Sequence, residues 1–406
     1  MGFTPVYNQG EPGNGIGGYD LRSPSDRVFA LDYNSSGKLD HLALYRPSTG
    51  TFWILKNQGG KFSAVYAQGD PGNGVGGYDL RHPNDVGFAF DYESSGKLDH
   101  VVFYRPGFGA IFILKRQGDR YIPVYAQGHE GSGIGGYDLR SAGDRIFAFD
   151  YNHSGCLDHL ALYRPGTGTM WILKKSETGK WNAVYQQGDP GQGIGGYDLR
   201  SNADRAFAFD WDSSGKMDHI ALYRPATGTF WVLRNNNGAF SPVLSVGDPG
   251  SGIGGYDLRS PADVAIAFDW NRSGKNDHVA LYRPGTGTLW VLKHVQGGFQ
   301  AVYSEGDPGR GAGGYDLKST QDKLLAFDYD GSKQSNHLIS SQHLKLSHPT
   351  ATMKKNDVIA IIIIILFILL AGVSFGIWKL VSVAKKSMSV TSGSSSSSGS
   401  TGIVDP

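Results

Sequence analysis

Cysteine is almost absent from this sequence of 406 residues, which contains a single one, Cys156. Cys156 stands where otherwise regular copies of a repeated segment carry Lys. Because a single cysteine cannot form an intramolecular disulfide, disulfides cannot hold the fold together, and cysteine usage does not indicate a reducing or an oxidising compartment. Net charge is also nearly absent, because 38 Lys and Arg balance 37 Asp and Glu to a formal charge of +1. A chain without a strong overall field has no long-range attraction for nucleic acid, so we expect no nucleic-acid partner.

Glycine, by contrast, is abundant, with 59 residues. In the segment GNGIGGYDL, Gly13, Gly15 and Gly18 have the G-x-G-x-x-G spacing of a dinucleotide-binding turn. The tyrosine of this segment recurs every 59 or 60 residues, at positions 19, 78, 137, 197, 256 and 315. A strand-like segment follows each copy, in place of the helix whose N-terminus would hold a pyrophosphate. We therefore expect no nucleotide ligand and interpret the glycines as loop residues that permit positive φ and close backbone approach.

A repeat of this length is typical of an array or a propeller. Within the first copy, turn residues separate four short segments rich in β-branched and aromatic residues, at 28–33, 41–45, 51–55 and 62–66. The second and third segments are apolar on both alternating faces, so both sides of the sheet must be covered, as in stacked propeller blades. The sequence therefore predicts an all-β fold, a β-propeller with four-stranded blades.

The sixth copy is shorter than the other five. Complete sets of four segments begin near residues 27, 86, 145, 205 and 264, whereas the sixth keeps an inner strand at 324–329 and a second strand-like segment at 337–341. The N-terminal segment 3–7 matches the outermost strand of a copy and could complete this blade. We expect about six blades within residues 1–345, the last incomplete. The alternative is a fragment of a larger ring that a second chain completes.

A polar loop follows the first strand of each copy, and in the first copy it has the pattern D-x-N-x-S-G-x-x-D. Oxygen ligands at positions 1, 3, 5 and 9, with a glycine at 6, are what a hard cation such as Ca²⁺ requires. The candidate metal ligands are Asp32, Asn34, Ser36, Asp40, Asp91, Glu93, Ser95, Asp99, Asp150, Asn152, Ser154, Asp158, Asp210, Asp212, Ser214, Asp218, Asp269, Asn271, Ser273 and Asp277. The sixth loop, at Asp328, lacks the glycine and the last acid, so we expect it to be empty.

The loop, its position between first and second strands and the repeat length resemble the FG-GAP/VCBS repeats of integrin alpha-chain propellers and fungal integrin-like propeller lectins. The resemblance covers roughly residues 3–340 and implies a Ca²⁺-stabilised propeller used for adhesion or carbohydrate binding. The family usually has Asp at position 5 of the loop, whereas each of the five full copies here has Ser. Only weak Ca²⁺ binding is therefore expected. The alternative is a turn held by Asx hydrogen bonds without metal.

The Tyr-Asp-Leu-Arg segment of each long loop combines an aromatic face, an acceptor and a planar donor, which suits a neutral sugar. The alternative is a structural clamp between blades. The candidate ligand-binding residues are Tyr19, Asp20, Arg22, Tyr78, Asp79, Arg81, Tyr137, Asp138, Arg140, Tyr197, Asp198, Arg200, Tyr256, Asp257 and Arg259.

The repetition of every candidate polar group favours multivalent binding over catalysis. An enzyme needs one asymmetric constellation of groups with separated pKa values, so we expect that the protein is not an enzyme. Several equivalent weak sites on one ring provide avidity. The sequence predicts a lectin-like, membrane-anchored propeller that binds glycans or a glycoprotein surface. The alternative is an integrin-like protein-interaction and adhesion scaffold without sugar binding.

The C-terminal region contains the one long apolar run. Residues 358–378 carry no charge and are long enough, at ~1.5 Å per residue, to cross a hydrocarbon core of ~30 Å as a helix. A linker at 346–357 would precede this single transmembrane helix, and a flexible tail at 379–406, first basic and then rich in Ser and Gly, would follow it. The N-terminal residues show no secretory signal pattern. Because weak Ca²⁺ sites fill at extracellular concentrations, we nevertheless expect the propeller outside the cell.

Overall fold

The computed structural model describes residues 2–9 and 13–341. The predicted linker, transmembrane helix and tail at 346–406 lie outside this range. Within the described residues, no helix has the length and apolar character needed to span a membrane.

The described residues form five four-stranded sheets and one two-stranded sheet, all antiparallel, with the strands of each sheet paired in chain order. We call these sheets blades 1 to 6. Blade 1 comprises β1 (Arg27–Leu31), β2 (His41–Arg46), β3 (Thr51–Gln58) and β4 (Lys61–Ala67). Blade 2 comprises β5 (Val86–Phe90), β6 (His100–Arg105), β7 (Ala110–Gln117) and β8 (Arg120–Gln127). Blade 3 comprises β9 (Arg145–Phe149), β10 (His159–Arg164), β11 (Thr169–Lys175) and β12 (Trp181–Gln186).

The remaining blades follow the same order until the last. Blade 4 comprises β13 (Arg205–Phe209), β14 (His219–Arg224), β15 (Thr229–Asn236) and β16 (Ala239–Val246). Blade 5 comprises β17 (Val264–Phe268), β18 (His278–Arg283), β19 (Thr288–Val295) and β20 (Gly298–Ser304). Blade 6 comprises only β21 (Lys323–Phe327) and β22 (His337–Ser341) within the described residues.

Burial explains why the second strands are apolar on both faces. In β2, the residues Leu42, Ala43, Leu44 and Tyr45 are all buried, so neighbouring blades cover both sides of the sheet. The fourth strand, β4, has mostly exposed or half-exposed residues, as expected for the outer edge of a blade. The predicted all-β propeller with two-sided burial is confirmed.

The ring of blades closes within the chain. The inner strands of successive blades contact one another, and β21 contacts both β17 and β1. The backbone N–H of Asp328 donates to the carbonyl of Leu39 at 3.2 Å, just as that of Asp32 donates to the carbonyl of Leu98 in the next blade at 3.0 Å. Five blades are four-stranded and blade 6 has two strands in the described part of the chain, which agrees with the prediction of about six blades with an incomplete last one.

The glycine-rich loops have a structural role. In the first copy, Ile16 and Tyr19 pair through two backbone hydrogen bonds of 2.8 and 2.9 Å across the Gly-Gly turn. Gly15 has a φ of +78°, and a Cβ there would lie 1.9 Å from the carbonyl oxygen of Tyr19. Only glycine fits at this position, which explains the spacing that resembles a dinucleotide-binding turn.

Candidate functional site

The first aspartate of each polar loop forms the turn itself. Asp32 is buried, and its Oδ1 accepts a hydrogen bond from the N–H of Ser36 at 2.8 Å while its Oδ2 accepts one from Gly37 at 2.6 Å. The same two bonds recur at Asp91, Asp150, Asp210, Asp269 and Asp328. Both oxygens of the proposed first metal ligand therefore have backbone partners.

The last aspartate of the loop joins one blade to the next. Asp99 Oδ1 lies 2.7 Å from Nδ1 of His100, and its Oδ2 accepts a hydrogen bond from Ser35 Oγ of the preceding blade at 2.6 Å. Burial alone would raise the pKa of Asp99, but the hydrogen bonds from His100 and Ser35 outweigh it and lower the pKa. Equivalent contacts from the preceding blade reach Asp158, Asp218 and Asp277. These acids connect blades, in addition to any role with a metal.

Among the described residues, the group that could offer three metal-ligand atoms within 4.8 Å of one another is Asp212, Asp218 and His219 in blade 4. With Asp210, this loop has three acidic residues, as many as the blade 2 loop and more than the other complete loops. Burial and the charges of Asp212 and Asp277 raise the pKa of Asp210 in the same loop, although two backbone N–H groups oppose them. A cation bound here would relieve that repulsion between carboxylates.

The arginine at the end of each second strand is the centre of a charged clamp. Arg46 Nε donates to Asp26 Oδ1 at 2.7 Å, and its two terminal nitrogens donate to Asp20 and Asp70. The hydroxyl of Tyr19 also donates to Asp26, at 2.7 Å. Burial of Arg46 opposes its charge, but the hydrogen bonds from Arg46 to Asp26 and Asp20 raise its pKa. Corresponding clamps surround Arg105, Arg164, Arg224 and Arg283.

The clamp buries one of the three residues predicted to bind a sugar and leaves the other two exposed. Tyr19 is buried, with the Arg46 guanidinium carbon 5.5 Å from its ring centroid and the Trp53 ring at 5.9 Å. Its face is therefore not open to a ligand. Asp20 keeps 51% of its side chain exposed, and Arg22 is exposed. The same division holds for the triads that begin at Tyr78, Tyr137, Tyr197 and Tyr256.

Sequence reasoning missed two members of the clamp, Asp26 and Asp70. Asp26 follows the Tyr-Asp-Leu-Arg segment, and Asp70 precedes the proline of the next glycine-rich loop. Both recur with the repeat, except that His129 replaces the second acid in blade 2. Their recurrence with each Tyr-Arg pair was the available signal, since a buried arginine requires acidic partners.

A second candidate region is a cavity of about 480 Å³ that is lined by residues of the inner strands of blades 1 to 5. Arg27, Arg145 and Arg205 line it, and none of them forms an ion pair with another described residue. Arg27 donates to the carbonyl of Asp85 at 3.0 Å and Arg205 to that of Ala203 at 2.7 Å. Burial and the nearby charge of Arg145 lower the pKa of Arg205. The cavity therefore carries excess positive charge and suits an anionic group.

Comparison with known proteins identifies the fold. No protein-family model matches the chain, so the FG-GAP/VCBS assignment is not confirmed, and no curated protein matches its sequence. A lectin of Agrocybe aegerita that recognises non-reducing terminal N-acetylglucosamine is similar in structure, with a TM-score of 0.50 and 18% identity over 80% of this chain and 76% of the lectin.

Two further similar structures are named as enzymes. A putative 6-phosphogluconolactonase of Bacteroides uniformis has a TM-score of 0.41 and 9% identity over 73% of this chain and 75% of its own. The periplasmic gluconolactonase of Pseudomonas aeruginosa has a TM-score of 0.33 and 12% identity over 67% of this chain and 68% of its own.

These matches correct the prediction that the protein is not an enzyme. Proteins named as lactonases are among the similar structures. At these identities the likeness concerns the fold and assigns no reaction. The chain is an all-β protein with a β-propeller fold.

Proposed function

We propose that the protein is a lectin-like propeller that binds carbohydrate through five equivalent sites, each formed by the exposed Asp and Arg of a Tyr-Asp-Leu-Arg segment. The observation that carries the proposal is the state of the Asp20 carboxylate. Its Oδ1 accepts bonds from the Arg46 side chain and from the N–H of Arg22, whereas Oδ2 has no hydrogen-bond partner among the described residues. The same arrangement holds at Asp79, Asp138, Asp198 and Asp257.

An acceptor held in this way is prepared for a sugar hydroxyl. Burial would raise the pKa of Asp20, but the hydrogen bonds from Arg46 and Arg22 lower it, so the group is a carboxylate at neutral pH. The clamp fixes the orientation of the carboxylate before a ligand arrives, which reduces the entropy lost on binding. The exposed guanidinium of Arg22 supplies donors beside it. A neutral sugar uses both donors and acceptors.

Similarity to the Agrocybe lectin supports carbohydrate as the ligand class, because the two chains share a propeller fold. Five copies on one ring add avidity, so each site needs only weak affinity. N-acetylglucosamine-terminated glycans are the first ligands to test.

The test is a glycan array probed with the full chain and with variants in which Arg22, Arg81, Arg140, Arg200 and Arg259 are changed to Ala cumulatively. We expect apparent affinity to fall with each site removed, by at least tenfold for all five. The matched control is Arg310→Ala, since Arg310 is 93% exposed and lies outside the five segments. A folded chain that binds no glycan would overturn the proposal and favour a protein-interaction scaffold.

We also propose weak Ca²⁺ binding in the polar loops, first in blade 4. The group Asp212, Asp218 and His219 supports this choice. Because backbone N–H groups already occupy both oxygens of Asp210, an ion would compete with the turn, which limits affinity. Calorimetric titration with CaCl₂ should show binding that the variant Asp212→Asn weakens. Absence of heat at millimolar Ca²⁺ would contradict it.

We propose membrane anchoring through residues 358–378, with the propeller outside the cell. Support comes from the 21 uncharged residues of this segment and the lysines on both sides of it. Protease added to intact cells should remove the propeller and leave a membrane-bound remnant. Complete protection of the propeller from protease would reverse the orientation, and extraction of the chain by carbonate would exclude the anchor.

A further inference from the structure

Among the described residues, blade 6 has no strand at the third position. In blades 1, 3, 4 and 5, the first aromatic residue of the fourth strand packs on the inner strand of the preceding blade. Phe299 of β20 does so, with ring centroids 6.2 Å from Phe209 and 5.5 Å from Trp211. Phe3 takes the same position against blade 5, with centroids 6.5 Å from Phe268 and 5.1 Å from Trp270.

A second contact confirms where the N-terminal segment lies. In blade 3, the hydroxyl of Tyr151 donates to the carbonyl of Val184 in the fourth strand at 3.2 Å. In blade 6, the hydroxyl of Tyr329 donates to the carbonyl of Val6 at 3.1 Å. The segment 3–7 therefore occupies the fourth-strand position of blade 6, as its sequence predicts. The position of the third strand lies between this segment and β22.

An apolar cavity of about 670 Å³ occupies that position. Its lining includes Leu42 and Leu44 of blade 1, Leu289 of blade 5, and Leu324 and Leu338 of blade 6. In the complete blades the corresponding space is filled by the third strand; Phe52, Ile54 and Leu55 of β3 are 0% exposed. Within the described residues, β22 pairs only with β21, so one edge of β22 has no strand beside it. We call this cavity with the open edge of β22 the blade 6 slot.

The five third strands define what fits the slot. Each carries an apolar residue, an aromatic residue, a β-branched residue, Leu and a basic residue in succession; the sequences are TFWILKNQ, AIFILKRQ, TMWILKK, TFWVLRNN and TLWVLKHV. The basic residue has an acidic partner in blade 2, where Lys115 forms an ion pair with Glu93. Blade 6 places Asp330, which is exposed, at the equivalent loop position.

The residues that follow β22 in the chain do not have this pattern. In blade 1, the third strand begins at Thr51, ten residues after the start of β2 at His41. The same spacing from His337 leads to residue 347 and the sequence Ser-His-Pro-Thr-Ala. It places Pro349 where β3 has Trp53. Proline cannot donate to a neighbouring strand, so it is excluded from the centre of a sheet.

We propose that the blade 6 slot accepts an extended strand from a partner protein, with the apolar-aromatic-β-branched-Leu-basic pattern of the third strands. The partner strand would add its backbone hydrogen bonds to the open edge of β22 and place large apolar side chains in the cavity. Its basic residue would pair with Asp330. The inference is independent of sugar binding, because the exposed Asp and Arg of blades 1 to 5 do not line the slot, apart from Asp20 at its margin.

The test is binding of a labelled synthetic peptide, TLWVLKHV, which copies Thr288–Val295, to the full chain. We expect saturable binding at least tenfold tighter than that of TLPVLKHV, because proline removes both a hydrogen bond and the aromatic side chain. Equal affinity for the two peptides would overturn the proposal. Hydrogen exchange of β22 is the second measurement: its amides should gain protection only with peptide. Protection in the free chain would show that its own segment already fills the slot.

The exposed variant Asp330→Lys tests the orientation of the strand without disturbing the core. It should weaken TLWVLKHV binding and strengthen TLWVLEHV binding, each by roughly two- to fivefold, as expected for an exposed ion pair. Asp119→Lys, an exposed acid in blade 2, is the matched control and should change neither affinity. No change with Asp330→Lys would contradict the proposed register. A dimer that dissociates on adding peptide would identify a second copy as the occupant and overturn the proposal for a partner protein.

Discussion

Blade 6 has the two inner strands of a complete blade and segment 3–7 at the fourth position, but no third strand within the described residues. Comparison with a complete blade therefore separates what the inner strands need from what the third strand adds. Its loop turn is intact: Asp328 accepts hydrogen bonds from Ser332 and Lys333 at 2.9 and 2.8 Å, although Lys333 replaces the glycine of the other loops and has a φ of 70°. The turn therefore forms without the glycine and without the last acid. The first aspartate is sufficient to organise it.

The charged clamp differs between the two regions. Arg164 of blade 3 binds Asp138, Asp144 and Asp189, whereas Gln342 stands at the equivalent sequence position of blade 6. The complete blades thus carry a buried cation and several acids between them. This comparison predicts that the same substitution will have different consequences in the two regions.

The largest effect is expected from Asp144→Ala in blade 3. Asp144 is 0% exposed at its side chain, and its loss leaves Arg164, whose side chain is only 11% exposed, without its main partner. This should cost about 3–5 kcal/mol of unfolding free energy. The equivalent change Asp322→Ala removes acceptors for Tyr315 and Ser319 and should cost about 1–3 kcal/mol. Denaturant unfolding measures both. Equal losses would mean that the clamp adds nothing beyond hydrogen bonds.

Core truncation provides the next comparison. Leu292→Ala in β19 removes a fully buried side chain and should cost about 2–5 kcal/mol. Leu338→Ala in β22 enlarges a cavity that already exists, so its cost should be below about 2 kcal/mol. Thermal or urea unfolding distinguishes the two variants. A larger cost for Leu338→Ala would indicate that the blade 6 slot is filled in the folded chain.

Calcium should affect the complete blades more than blade 6. At about 100 times Kd, Ca²⁺ should add ~2.7 kcal/mol for each site lost on unfolding. The melting temperature should be higher in millimolar Ca²⁺ than in EDTA. Changing Asp210, Asp212 and Asp218 to Asn should reduce this difference by the contribution of one site, whereas Asp328→Asn should leave the difference unchanged. Identical melting of the wild type in EDTA and Ca²⁺ would show that the carboxylates act only as turn formers.

The smallest expected effect is on the stability of the protein at acidic pH. Burial alone would raise the pKa of Asp158, but the close contact with His159 Nδ1 at 2.6 Å and the hydrogen bond from Ser94 outweigh it and lower the pKa. A carboxyl group whose pKa is lower in the folded than in the unfolded protein stabilises the fold at pH values above its unfolded pKa of about 3.9. This stabilisation is lost as the pH falls through the folded pKa. Asp158→Asn should therefore reduce the slope of stability against pH below about pH 4. Asn336→Gln in blade 6 is the control, because neither residue titrates. An unchanged slope for Asp158→Asn would contradict the linkage.

Much of the architecture could be predicted from the sequence because it depends on local patterns that repeat. Leu42 and Ala43 point to opposite faces and are both apolar, which already requires a blade covered on two sides. The role of Tyr19 could not be read in the same way. Its ring is as suitable for a sugar as for a clamp until the fold brings Arg46, from the second strand of the blade, together with Asp26 around it.

The sequence alone determined four features: the repeat, the blade strands, the shortened sixth copy and the match of segment 3–7 to a fourth strand. It could do so because side-chain alternation and turn residues act over a few positions. Which carboxylates face solvent was decided by the tertiary structure. Asp26 and Asp20 precede Arg46 by 20 and 26 residues and bind the same guanidinium, yet one is buried and the other half exposed. That difference in exposure depends on how neighbouring strands and loops pack around the Arg46 guanidinium, which cannot be deduced from sequence spacing.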